Sequence, residues 1–366
     1  MATAERVLLT TDAVGGVWTF TLELARGLKE KGVQVGLASM GGAPGPGRKN
    51  AVEGLGVELY PSAFKLEWMP EPWEDVRQAS AWLLDLAARF QPDVVHLNQY
   101  SFGHLPFSAP VLITGHSCVL SWWRAVHGCD APAEWSRYRY HVARGLHAAA
   151  LVAAPSHTML AALETHYGPF PRTQVIPNGR DLPAAQRVTK QPFVFAAGRF
   201  WDIAKNLQDL ERIASQLPWP VYVAGDLDHP DGTRRASSTC RVLGKLSPRQ
   251  VAWWMERASI YALPARYEPF GLSLVEAALN GCALVLGDIP SLREIWGDAA
   301  VFVPPGDTEA LREAVTGLIR VPEDRIEMAR RARMHAHNFN ASRMTDAYLA
   351  AYRSLTEPAS AGHLTA

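Results

Sequence analysis

Short aliphatic runs alternate with longer stretches of helical periodicity along the whole chain. Val7–Leu9 predicts a buried strand, and Thr19–Lys31 a helix whose Phe20, Leu22, Leu24, Ala25 and Leu28 recur at helical spacing. Val33–Ala38 predicts the next strand, Trp73–Phe90 a strongly amphipathic helix, and Val94–Leu97, Val111–Thr114, Leu151–Ala153 and Gln174–Ile176 further strands. Such β–α alternation predicts a parallel, doubly wound sheet covered by helices on both faces.

The pattern then restarts. The segment from Pro177 through Asn178, Gly179, Arg180, Asp181 and Leu182 to Pro183 is dense in turn residues and carries no apolar period. Beyond it, Phe193–Ala197, Val221–Ala224, Arg241–Gly244, Ile260–Leu263, Ala283–Leu286 and Val301–Val303 read as strands. Asn206–Gln216, Arg249–Arg257 and Leu272–Asn280 read as helices between them, the second opened by Ser247-Pro248 as cap and first-turn proline. Helices at Glu309–Ile319, Glu323–His337 and Ala341–Leu355 close the chain, and the small, polar tail beyond Glu357 is expected to fray. The expectation is an α/β fold of two Rossmann-like units, residues 1–180 and 181–340, hinged near 177–190. Ligands of open α/β sheets bind beyond the carboxyl ends of the strands, so the strand-to-helix loops should line a cleft between the units.

A length of 366 residues suits two such domains. Lys+Arg and Asp+Glu number 36 each, and residues 1–180 carry 15 of either sign. A phosphate-neutralising nucleic-acid binder would show a basic excess, so nucleic acid is excluded as a partner. Cys118, Cys129, Cys240 and Cys282 have no ligand-like spacing and read as buried free thiols. The histidines lack metal-ligand spacing, and no metal site is expected. With no signal-like h-region and no apolar run of membrane-spanning length, the chain is expected to be cytoplasmic, with at most peripheral membrane contact.

Three loops carry candidate chemistry. After the first strand, Gly15 and Gly16 allow close backbone approach and leave N–H groups at a helix start, a seat for an anion; G-x-G-x-x-G is absent. In the loop from Gly198 to Asn206, Arg199 offers a planar fork and Lys205 a mobile point charge, a pairing suited to a diphosphate. In Arg266–Ala277, the amides of Phe270, Gly271 and Leu272 open a helix, Glu268 precedes it and Glu276 sits on its second turn. Ionised carboxylates accept hydrogen bonds only, so this pair suits a polyhydroxylated ligand. The blander reading leaves Glu268 on the helix dipole and Glu276 in solvent. Trp253-Trp254-Met255 reads as packing, and so first does Trp122-Trp123, in a loop after His116, with acceptor stacking as its alternative.

Together these residues resemble retaining glycosyltransferases of the GT-B fold, family 4 above all. Glu268 to Glu276 is similar to the family's E-x7-E signature. The likeness extends over Gly15-Gly16, Pro92–His96, Thr114-Gly-His116, Val175–Gly179, Gly198-Arg199 with Lys205, Val223–Asp226, and Pro264 ahead of Glu268. Ala265 departs from the serine that often follows that proline.

The resemblance implies that Arg199 and Lys205 bind the donor diphosphate with Gly16 near it. The amides at Phe270–Leu272 would hold phosphate and sugar, and Glu268 the hydroxyls of the transferred sugar. Glu276 would grip the ribose, His116 would face the sugar near the reacting carbon, and Val242-Leu243 would meet the base. It implies a C-terminal donor domain and an N-terminal acceptor domain, with the last helix (about 341–357) crossing back to the latter after a kink near His337–Asn340. It also implies a nucleotide-sugar co-substrate (UDP-glucose first, GDP-mannose second), a glycan or lipid-linked sugar acceptor, no cofactor and no metal. Transfer would occur on one face of the sugar, without a carboxylate nucleophile. Asp226-Leu-Asp228 has metal-motif spacing but lies in a different loop. A catalytically silent nucleotide-sugar-binding subunit of a polysaccharide assembly complex is the alternative.

Overall fold

The computed structural model describes residues 4–182, 188–227 and 239–357. Part of the expected hinge, Asp228 of the Asp226–Asp228 spacing and the tail expected to fray lie outside them.

The first unit carries β1 (Arg6–Asp12), α1 (Gly16–Glu30), β2 (Gln34–Met40), α2 (Pro46–Leu55), β3 (Glu58–Pro61), α3 (Trp73–Phe90) and β4 (Val94–Leu97). It continues with β5 (Val111–Thr114), α4 (Val119–His127), α5 (Ser136–Ala148), β6 (Leu151–Ala154), α6 (His157–Tyr167) and β7 (Thr173–Val175). The second carries β8 (Gln191–Ala197), α7 (Leu207–Ala214), β9 (Val221–Ala224), β10 (Arg241–Gly244), α8 (Pro248–Arg257) and β11 (Ala258–Leu263). After these come α9 (Leu272–Leu279), β12 (Ala283–Gly287), α10 (Pro290–Trp296), β13 (Val301–Val303), α11 (Thr308–Arg320), α12 (Pro322–Ala336) and α13 (Ala341–Thr356).

Among the described residues all strand pairs are parallel, in the orders β3-β2-β1-β4-β5-β6-β7 and β10-β9-β8-β11-β12-β13. The two-Rossmann α/β architecture expected from the alternation is therefore the one observed. Strands such as β4, β5, β6 and β12 are buried along their whole length, which is why they read as unbroken aliphatic runs. In each sheet the order reverses beside the first strand: β1 pairs with β2 and β4, and β8 with β9 and β11. At such switch points the loops diverge to opposite faces and open a crevice. The loops after β1, β4, β8 and β11 flank these crevices.

The chain crosses between the units twice, and the two crossings are bonded together. Arg180 N donates to Phe339 O at 2.8 Å, and Ala341 N to Asp181 Oδ1 at 3.2 Å. Past the second crossing, Asn340 caps α13 through Arg343 N. Met344, Tyr348, Leu349 and Tyr352 of α13 then join the core formed by Phe20, Leu24 and Leu28 of α1 and by the face of the first sheet. Gly27 permits this approach, because a Cβ there would stand 2.1 Å from Thr345 Oγ1.

Several local expectations are corrected. Trp122 and Trp123 lie on helix α4, not in a loop. Cys129 is exposed, just past the glycine that ends α4, whereas the other three thiols are buried. Trp253 is exposed with the Arg257 guanidinium over its ring at 4.0 Å, while Trp254 packs against Phe193, Phe195 and Tyr222.

Candidate functional site

The loop after β1 is held by Asp12, whose Oδ1 accepts from Val14 N and Gly15 N, both at 2.9 Å. One amide of the expected anion seat, that of Gly15, thus already serves a carboxylate. Gly15 caps α1, and a Cβ on it would stand 2.9 Å from Arg199 Nη1. Arg199 of the second unit therefore reaches across the cleft onto Gly15 of the first. Nothing lies within 4 Å of a Cβ built on Gly16, so that face of the loop is open.

Asp202 shapes the turn that presents Lys205. Its Oδ1 accepts from Ala204 N at 3.0 Å and from Trp122 Nε1 on α4 at 2.9 Å. Lys205 is not a mobile point charge: its Nζ donates to Glu268 Oε2 at 2.6 Å, and both side chains are largely shielded. Arg266 N donates to Ala204 O and Ser291 Oγ to Glu268 O, tying the loops after β8 and β11 to each other and to α10. Gly271 takes φ +86° at the start of α9, a conformation an L side chain resists. Phe270 N makes a long 3.4 Å contact with Glu268 Oε1, so one of the three amides leans on the adjacent carboxylate.

Glu276 is neither solvated nor unpaired. Arg180 Nε donates to its Oε1 at 2.7 Å, and Arg180 Nη1 bonds Glu23 of α1. Glu23 is 2% exposed and also takes Arg26 at 2.8 Å. Burial raises the Glu276 carboxyl pKa, with Arg180 opposing and Glu23 adding to the rise. Burial acts to lower the Arg180 pKa, but the two carboxylates outweigh it and the net shift is upward.

His116 follows β5, with its Nε2 2.8 Å from Asn98 Oδ1 and the edge of Phe20 against its ring. Asn98 Nδ2 donates to Thr10 O, so Oδ1 is the acceptor and Nε2 carries the imidazole proton. Burial pushes the His116 pKa down to about 3, leaving a neutral ring with Nδ1 as an acceptor. Behind it, His96 joins Tyr352 OH at 2.7 Å and Thr114 Oγ1 at 2.7 Å, and Thr114 meets Tyr348 OH at 3.0 Å. Burial first, then the nearby His116, holds the His96 pKa well below its usual range.

The two units meet around this group. Ser117 Oγ and Cys118 N donate to Tyr267 OH at 3.3 and 3.2 Å, placing the His116 loop against the Glu268 loop. Glu294 of α10 caps α6 in the other unit, accepting from His157 N, Thr158 N and Thr158 Oγ1 at 2.7, 2.8 and 2.6 Å.

Gly15, Arg199, Lys205, Glu268, Phe270, Gly271 and His116 thus lie on loops in contact across one cleft, with Leu272 opening α9 and Glu276 on its second turn. Val242 and Leu243 stand apart on edge strand β10, one strand beyond β9 from the Arg199 loop, and Val242 is exposed. Sequence reasoning missed Arg180, Glu23, Asn98, Tyr267 and Glu294. Glu23 left a signal, a charge between Phe20 and Leu24 on the buried stripe of α1; Arg180 and Glu294 left none. Among the described residues no three His, Cys, Asp or Glu side chains gather as a metal-holding group, and no helix is long and apolar enough to cross a membrane.

Comparison with known proteins bears on this geometry. The model of Glycosyltransferase Family 4 matches residues 14–183, and that of Glycosyl transferases group 1 matches residues 182–335. A glycogen synthase of Mycobacterium tuberculosis is 34% identical over 131 residues, 34% of this chain and 32% of its own. A phosphatidyl-myo-inositol mannosyltransferase of Mycolicibacterium smegmatis is 29% identical over 199 residues, 50% of this chain and 52% of its own. The matched stretches therefore span about a third to a half of these curated relatives. Sucrose-phosphate synthase from Thermosynechococcus elongatus superposes with TM-score 0.76 at 18% identity, covering 96% of this chain and 99% of that one. Anabaena HepE, solved with UDP-glucose, superposes with TM-score 0.75 at 17% identity, covering 95% of this chain and 99% of that one. At these identities the structural likeness concerns the fold.

Proposed function

The chain belongs to glycosyltransferase family 4, and from that membership and its cleft we propose that it transfers a hexose from a nucleoside-diphosphate sugar to a glycan or lipid-linked acceptor. The observation that carries the reading is the convergence of Arg199 on the Gly15 loop beside the Lys205–Glu268 pair and the start of α9. Two cations and a helix N-terminus at one crevice suit a diphosphate. When the diphosphate takes Lys205, Glu268 is released to accept from sugar hydroxyls. Glu276 accepts from the ribose, and neutral His116 offers Nδ1 to a hydroxyl near the anomeric carbon. The base lies along Val242-Leu243.

The bond from the anomeric carbon to the diphosphate breaks as the acceptor oxygen bonds that carbon on the same face. The acceptor proton passes to the departing phosphate oxygen, and the configuration is retained. Arg199, Lys205 and the α9 amides stabilise the charge growing on the leaving group, and the reaction proceeds without a metal ion. UDP-glucose is the first donor and GDP-mannose the second; the relative HepE was solved with UDP-glucose. The balanced charge of residues 1–180 favours a soluble or polymeric glycan as acceptor and a cytoplasmic enzyme with at most peripheral membrane contact.

The test is donor turnover, including slow hydrolysis, with UDP-glucose, GDP-mannose and ADP-glucose in the presence of EDTA. Glu276→Gln and Lys205→Ala are expected to weaken donor binding and cut turnover about tenfold or more. Wild-type turnover in both variants overturns the site assignment, and strict dependence on Mn²⁺ or Mg²⁺ overturns the metal-free scheme. Donor binding with neither hydrolysis nor transfer supports the silent-subunit alternative.

A further inference from the structure

Arg180 lies in the first crossing between the units, held to the second by its own N–H on Phe339 O. Its guanidinium joins carboxylates from both units, Glu23 on α1 and Glu276 on α9, at sequence separations of 157 and 96 residues. Both bonds on Glu23 fall on Oε1, and Glu23 Oε2 is buried without a partner. Glu23 is thus a fixed anchor committed to its two arginines. On Glu276 the guanidinium takes Oε1 at 2.7 Å, and the side chain keeps 19% exposure.

We propose that Arg180 is a positioning residue for donor binding: anchored on Glu23, it keeps Glu276 ionised and leaves Glu276 Oε2 for the ribose hydroxyls. This rests on the reading of Glu276 as the ribose-binding carboxylate. Arg180 itself touches no donor atom. Its charge is what lets two shielded carboxylates from different domains stand on either side of one guanidinium. Other ionisable groups face the cluster from every side. Arg26 lies on Glu23, Asp181 holds Ala341 N, and Tyr261 of β11 senses both Glu268 and Glu276, the former paired with Lys205. Without the guanidinium, burial and Glu23 both favour a protonated Glu276, a poorer acceptor for a hydroxyl.

The experiment measures dissociation constants of UDP, ADP and GDP, each against its 2′,3′-dideoxy counterpart, at about pH 6 and pH 8.5. The ratio within each pair isolates the ribose hydroxyls and cancels titration of the phosphate. In the wild type the hydroxyls are expected to contribute at both pH values. Arg180→Gln should lose about tenfold of that ratio near pH 6 and regain most of it near pH 8.5, whereas Arg180→Lys should keep it at both. The double variant Glu23→Gln/Arg180→Gln removes the repulsion but not the burial, so it should recover only part of the ratio near pH 6 and the rest near pH 8.5; that pH dependence carries the test if Arg180→Gln alone does not fold.

The inference is overturned if Arg180→Gln keeps the full ratio near pH 6. It is also overturned if Arg180→Lys and Arg180→Gln lose it equally and independently of pH, as a purely structural role would produce. Glu276→Gln is the separating control. If it keeps the ratio, or if the wild type binds none of the three nucleotides, the donor reading itself fails and this inference with it.

Discussion

Replacing Tyr352 by Phe tests the buried network that fixes the last helix behind the cleft. The ring stays and only the hydroxyl leaves, so apolar burial is preserved and the cost is a hydrogen-bonding cost. Both Tyr352 and His96 are fully buried, and the hydroxyl is 2.7 Å from His96 Nδ1. Because burial keeps His96 neutral, one ring nitrogen donates and the other accepts. Nε2 is already engaged by Thr114, so the variant leaves Nδ1 without a partner in a dry site. An unsatisfied buried group costs about 1–3 kcal/mol, and about 2–4 °C is lost per kcal/mol in a unit of 150–250 residues. Scanning calorimetry should therefore show the melting temperature lowered by about 2–12 °C. Tyr348→Phe is the internal control. Its hydroxyl bonds Thr114, which keeps His96 as a second partner, so the loss should be smaller. A Tyr352→Phe protein as stable as the wild type, or less affected than Tyr348→Phe, refutes the network as drawn.

Two other outcomes follow from the cleft. His116 has its pKa lowered from 6.5 to about 3, so the unfolded chain binds its proton first and stability falls as pH drops below 6.5. That loss is about 2 kcal/mol at pH 5 and is absent from His116→Gln, so the stability difference between wild type and variant in denaturant titrations should shift by about 2 kcal/mol in the variant's favour from pH 7 to pH 5; an unchanged difference contradicts the shielded, neutral ring. Glu294→Ala removes three bonds onto the start of α6, worth about 1–2 kcal/mol of interdomain contact. It should widen the cleft in small-angle scattering while leaving the circular dichroism intact, and identical scattering curves would show that the contact does not hold the units together.

Much of the fold was legible because strands buried on both faces are written as aliphatic runs, as Val94–Leu97 and Val111–Thr114 are. Other elements were hidden by their own chemistry. Strand β3 is a four-residue edge strand, half-exposed and ending in Pro61, and α5 interleaves arginine with tyrosine so that its apolar stripe is faint. In the site, glycines and charges in strand-end loops were readable, since such loops converge at switch points whatever their sequence. Who pairs with whom was not. Lys205 finds Glu268 at a separation of 63 residues, and Arg180 finds Glu23 and Glu276 in two different domains. No local periodicity encodes such partners, because tertiary packing sets them.

The most direct test of the central claim is hydrogen–deuterium exchange with and without UDP-glucose, GDP-mannose or ADP-glucose, read peptide by peptide. Binding in the cleft should slow exchange at the Gly15-Gly16 loop, at Gly198–Asn206 and at Arg266–Glu276 together, with one donor dominant. Protection confined to other segments, or none with any of the three sugars, would contradict the assignment of this cleft as a nucleotide-sugar site.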